Sequence, residues 1–162
     1  MFGIEPRFLK KHPGIKPSEN IKSLSLLLKR EFAEAILKGE KTVEFREYSD
    51  YYCRRIYDAK LVEYGDNHVS NNDMEDFLTF AKPLRIVESI HFHNYNNTWS
   101  LDVECIDNWT VVVTKDGVKD LQDTYGCHEL DELLAELEEK KATERPIFFY
   151  FAIGKVISKS GF

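Results

Sequence analysis

Three apolar-alternating runs follow one another with almost nothing between them. Residues 85–95, 98–105 and 109–114 read as strands of period two, and Asn94–Asn97 and Asp107–Asn108 carry turn chemistry between them. Runs joined so tightly can only pair antiparallel, which commits the chain to a sheet built from hairpins. A later stretch changes period. Leu130, Leu133, Leu134 and Leu137 fall at i, i+3, i+4 and i+7, predicting an amphipathic helix over 129–140. Pro146 ends it, and 147–157 predicts a buried closing strand.

The earlier chain fits the same class. Residues 21–29 read as a first strand. Phe32, Ala33, Ile36 and Leu37 share one face of a helix over 30–38, and Gly39 stands where a helix ends. From 41 to 47 the pattern alternates again, with Val43 and Phe45 opposite Glu44 and Arg46. Residues 49–57 predict a short helix or ordered loop, 59–64 a short strand, 65–73 a polar loop, and 74–81 one or two helical turns. Pro6, Pro13, Gly14 and Pro17 among lysines make 1–20 an extended arm. The expectation is an α+β fold, a small curled sheet or barrel flanked by two or three helices, as one domain over 21–162.

Charge narrows the partners. The net charge is −6, with 13 cationic and 10 anionic side chains up to residue 64 and 9 against 18 beyond it. A duplex-DNA binder relying on bulk electrostatics is basic, so duplex DNA is excluded and a small basic cleft in the first half remains. Uncharged apolar stretches fall far short of the ~20 residues of a membrane helix. With no apolar run before Lys10 and three scattered cysteines lacking a Cys-x-x-Cys spacing, the expectation is a cytoplasmic chain with neither signal peptide nor disulfide framework. No cofactor is implied, and His91 and His93, lacking a third ligand at metal spacing, imply no metal.

The densest polar cluster is Gly39-Glu40-Lys41-Thr42-Val43-Glu44-Phe45-Arg46. Residues i and i+2 of a strand lie roughly 6.6 Å apart on one face, so Glu44 and Arg46 can interact or grip one ligand. A surface salt-bridge ladder is the plain alternative. Beyond it, Phe45, Tyr48, Tyr51, Tyr52 and Tyr57 interleave with Arg46, Arg54 and Arg55. Aromatic faces stack on bases and arginines hold phosphates, although core packing would also use such tyrosines.

Gly39, Lys41, Glu44 and Arg46 match Gly-x-Lys-x-x-Glu-x-Arg, and with residues 27–37 before them the stretch resembles the ASCH domain of the PUA-like superfamily. The resemblance implies a PUA-like β-barrel with a cleft beside the motif strand, binding single-stranded RNA or a small nucleotide or nucleoside. Ligand-binding residues would be Lys29, Lys41, Glu44, Arg46, Tyr48, Tyr51, Tyr52, Arg54 and Arg55. Relatives that hydrolyse acylated cytidine nucleosides use a lysine and a threonine of this motif with a distal glutamate. Lys41 matches the lysine, Glu44 stands at the threonine position, and the distal glutamate falls near Gly126, with Glu129 a few residues on. The alternative is a hydrolase acting on acylated nucleosides or single-stranded RNA through Lys41 and Glu44. Lys41, at a turn, is expected to be dispensable for folding.

Overall fold

The computed structural model describes residues 4–162 and divides into two compact units. The helical unit comprises Met1–Asn20 and Ser49–Ile86; the sheet unit comprises Ile21–Tyr48 and Val87–Phe162. The division has one of its boundaries after residue 20 and groups Ser49–Ile86 with the first segment. The first segment is not an extended arm: it forms helix α1 (Ile4–Lys11), whose Phe8 is 3% exposed and packs with Leu61, Phe77 and Ala81. Burying such a ring stabilises by roughly 1.5–3 kcal/mol, enough to fold a proline-containing segment onto a core.

In chain order the remaining elements are β1 (Leu24–Leu27), α2 (Arg30–Leu37), β2 (Val43–Glu47), α3 (Asp50–Ile56), α4 (Ala59–His68), α5 (Met74–Phe80), β3 (Ser89–His93), β4 (Ser100–Val112), α6 (Lys115–Tyr125), α7 (Asp131–Glu139) and β5 (Ile147–Ser160). The fold is α+β, with seven helices among the described residues rather than two or three. None is long and apolar enough to cross a membrane.

The helical unit holds the clearest departure from the sequence pattern. Residues 59–64 are helix, not strand, because Asp58 Oδ1 accepts from the Lys60 and Leu61 amides and starts α4. Leu61 and Gly65, four apart, then face the unit's core. Ser49 caps α3 in the same way through the Tyr52 amide.

The sheet unit is one mixed five-stranded sheet in the order β1-β3-β4-β5-β2. β1 runs parallel to β3, and every other pair is antiparallel. Strand parity places Leu24 and Leu26, Ile90 and Phe92, and Leu101 and Val103 on one buried face. The opposite face carries the rung Ser25–His91–Asp102–Ser158 across four strands. The turn expected at Asp107–Asn108 is absent: β4 runs through it, with irregular register between Asp102 and Asp107. Asn108 is buried there, and its Oδ1 accepts from the Val87 amide, so the polar pair serves a bulged strand rather than a reversal.

α6 and α7 cover β2, β4 and β5. Val43, Val111, Val113, Val118, Leu121, Cys127 and Leu130 form the core of this layer, joined at its margin by Leu133, Leu134, Leu137, Phe148 and Tyr150. The leucine face of the late helix and the closing strand thus share one core, as the sequence predicts.

Candidate functional site

The motif is assembled by the end of one helix and the start of one strand. α2 stops at Gly39, whose φ of +77° is the left-handed conformation that glycine adopts without a Cβ penalty. The Glu40 and Lys41 amides both return to the Ala35 carbonyl, tightening the reversal. Lys41 is thereby aimed back against the sheet and is 8% exposed. This burial weighs against the expectation that Lys41 is dispensable for folding.

Lys41 Nζ donates to the Val43 carbonyl at 3.0 Å and to Glu129 Oε1 at 2.9 Å, and lies 3.3 Å from Glu44 Oε1. Glu129 Oε2 also accepts, at 3.1 Å, so four oxygens from three residues surround the ammonium and its three protons. Glu44 Oε1 also accepts from the Phe45 amide, and Glu44 Oε2 accepts from the Arg46 guanidinium at 2.8 Å. The same Arg46 nitrogen donates to the Leu27 carbonyl at 2.6 Å. Glu129, Lys41, Glu44 and Arg46 are therefore one continuous network of two cations and two anions, with side-chain exposures of 41%, 7%, 9% and 16%. Burying charge is costly unless each group is paired, and here each is. Among the described residues no buried side-chain nitrogen or oxygen lacks a partner.

Glu129 is held by the loop between α6 and α7. α6 ends at Gly126 in the left-handed conformation, and Asp131 beyond the loop accepts from Gln122 and His128. The Gln122 amide, then His128, hold the Asp131 carboxyl below the usual carboxylate range. Thr42 Oγ1 donates to the Tyr125 carbonyl at 2.9 Å, tying the start of β2 to the same helix end. Cys127 lies within the loop, and burial pushes its thiol up, away from thiolate chemistry. Nearby, Asp107 Oδ2 accepts from both Tyr125 and Tyr150 hydroxyls, at 2.7 and 3.2 Å. Burial first, then the Asp107 charge, push Tyr150 up to about 12 and Tyr125 higher still.

Tyr48, two residues past Arg46, stacks on the buried Phe149 with ring centroids 5.0 Å apart and remains 43% exposed. Register supports the same grouping, because Glu44 pairs with Phe151 and Arg46 with Phe149. Lys41, Glu44, Arg46 and Tyr48 are thus brought together. Lys29 is the residue before α2, exposed and outside the network. Tyr51, Tyr52, Arg54 and Arg55 lie on α3 in the helical unit and make local contacts there. Tyr51 packs edge-on to Tyr52, Arg55 covers Tyr51 at 5.4 Å, and Arg54 Nε donates to the Asp50 carbonyl. Glu129 is the member that residue patterning missed, since the acidic run 129–139 reads as a solvated helix face. The expectation of a distal glutamate near Gly126 was the one signal for it.

No protein-family model and no curated protein matches the chain. Solved structures do. A crystal structure of ASCH from Zymomonas mobilis is 19% identical, covering 86% of this chain and 73% of that one with a TM-score of 0.41. Two mutants of that protein align at 16% and 19% identity, covering 85% of this chain and 71% and 74% of theirs, with TM-scores of 0.41 and 0.38.

Proposed function

We propose that the sheet unit binds single-stranded RNA or a small, modified nucleotide or nucleoside beside β2. The observation that carries this reading is the sharing of one strand face by Glu44, Arg46 and the half-exposed Tyr48 ring, backed by Phe149. A base stacked on Tyr48 gains roughly 1–3 kcal/mol. Its polar edge then meets Arg46, a donor to a carbonyl or phosphate, and Glu44, an acceptor from an amino group. A pre-paired network holds these groups in place, which lowers the ordering cost of binding. Net charge −6 favours a splayed single strand over a duplex, whose nonspecific affinity is mostly electrostatic. The test is a panel of nucleosides and oligonucleotides read by thermal shift and by product mass. A shift without product, abolished in Tyr48→Ala, is expected; tight duplex binding with a steep salt dependence overturns the reading.

A second reading is a hydrolase of acylated nucleosides, favoured by the 2.9 Å contact between Lys41 and Glu129. In it, water attacks the acyl carbon, Glu129 takes the water proton, Lys41 stabilises the oxyanion, and the freed amine leaves with the proton. No motif hydroxyl takes part, since Glu44 holds the threonine position and Thr42 is committed to Tyr125. Turnover in the mass assay, lost in Glu129→Gln, decides for this reading.

A further inference from the structure

We propose that Phe32 is a further binding surface of the β2 site, one that takes the flat, uncharged part of the ligand, a nucleobase, and turns phosphate away. The inference rests on the reading above, that a base-bearing ligand binds beside β2, and names what the Lys41 end of that site recognises. Phe32 lies in the first turn of α2. Its helix neighbours Ala33 and Ile36 are buried, at 0% and 6%, whereas Phe32 keeps 42% of its surface. A single exposed ring is ordinary on a protein surface. What sets this one apart is its neighbour. The Lys41 ammonium lies over the ring, 5.5 Å from its centroid, within the range of a cation–π contact.

Two contacts hold the head of α2 at the motif strand. Arg46 donates to the Leu27 carbonyl, just before α2 begins, and Phe32 covers Lys41. The ring therefore stands beside the ionic network. Oxygens of Val43, Glu44 and Glu129 already surround the Lys41 ammonium. The Phe32 ring completes an enclosure in which the Lys41 side chain is only 7% exposed.

That enclosure decides what binds. A phosphate oxygen has to displace Glu129 or the ring to reach the ammonium. It also meets two carboxylates, Glu44 and Glu129, beside the two cations, so the network as a whole is neutral and leaves little attraction for an anion. A base loses nothing by this arrangement. It packs on the open surface of Phe32, and stacking on an aromatic ring strengthens binding by about tenfold.

The experiment measures binding of adenosine, cytidine, guanosine, uridine, ribose 5-phosphate and a short single-stranded oligoribonucleotide to the intact chain by calorimetry. Phe32→Ala and Phe32→Leu are each expected to weaken binding of the nucleosides or the oligonucleotide by about tenfold. Phe32→Leu keeps an apolar cover over Lys41, so its melting temperature is expected to be unchanged, a split that a merely structural ring does not give. Phe32→Trp is expected to retain binding, with the added indole fluorescence quenched by the ligand. Ribose 5-phosphate, which carries the charge without a base, is expected to give no heat. Unchanged affinity in Phe32→Leu, no quenching in Phe32→Trp, or ribose 5-phosphate bound as tightly as a nucleoside overturns the assignment. If binding is then still lost in Tyr48→Ala, the reading of the β2 site stands without it. An unsubstituted chain that binds neither the nucleosides nor the oligonucleotide overturns that reading, and this inference with it.

Discussion

At the β2 edge, Lys41 and Glu44 keep 7% and 9% of their side-chain surface; across the sheet, His91 and Asp102 keep 36% and 30%. Both are hydrogen-bonded polar chains, the first running along β2 and the second crossing strands. They differ in what happens when a link is removed. In the first, water barely reaches Lys41 and Glu44, so these two charges depend on each other, and only Glu129 at the end of the network meets solvent. In the second, solvent replaces what is lost, and the links are energetically separable. Burial, more than the number of hydrogen bonds, decides whether polar residues stabilise a fold or merely decorate it.

Removing the central cation tests this most severely. Lys41→Ala leaves Glu44 and Glu129 facing each other without their shared partner, and is expected to cost about 3 kcal/mol in urea unfolding. Pairing Lys41→Met with Glu44→Gln should recover much of that loss, since it removes charge on both sides; no recovery would mean that stem packing rather than charge explains the effect. Next comes Arg46→Ala. Glu44 keeps Lys41, and Arg46 is more exposed, so roughly 1–3 kcal/mol is expected by the same measurement. Gly39→Ala is expected to cost about 1–2 kcal/mol by forcing a Cβ into the left-handed region, with ligand binding weakened because Lys41 is re-aimed. Last is Asp102→Asn, for which the expected change is within about 0.5 kcal/mol. A cost for Asp102→Asn as large as that for Lys41→Ala would erase the distinction between the two chains.

The parts of the fold that were legible in the sequence were those where one local signal acted alone. Val43 and Phe45 against Glu44 and Arg46 announced β2, and four leucines at helical spacing announced α7. Where two signals competed, pattern failed. Leu61, Val62 and Tyr64 look like strand, yet Asp58 satisfies the first amides of a helix and Leu61 and Gly65 give it a buried face. Asp107 and Asn108 look like a turn, yet the Asn108 side chain is used by the distant Val87 amide, a contact 21 residues away that no window includes. α6 went unrecognised although Thr114 caps it and Gly126 ends it, because Val118 and Leu121 alone make a thin apolar stripe. The candidate site divides the same way. Lys41, Glu44 and Arg46 are close in sequence and were visible together. Glu129 is 88 residues from Lys41, and only folding brings the two into contact.

The Arg46 bond to the Leu27 carbonyl has a consequence beyond stability. β1 and β2 are the two outer strands of an open sheet, and an outer strand with vacant carbonyls invites another chain to add to it. By occupying the Leu27 carbonyl from the opposite margin, Arg46 guards the β1 edge. A chain lacking that guanidinium should show its defect first in concentrated solution, as oligomers growing edge to edge while each copy is still folded.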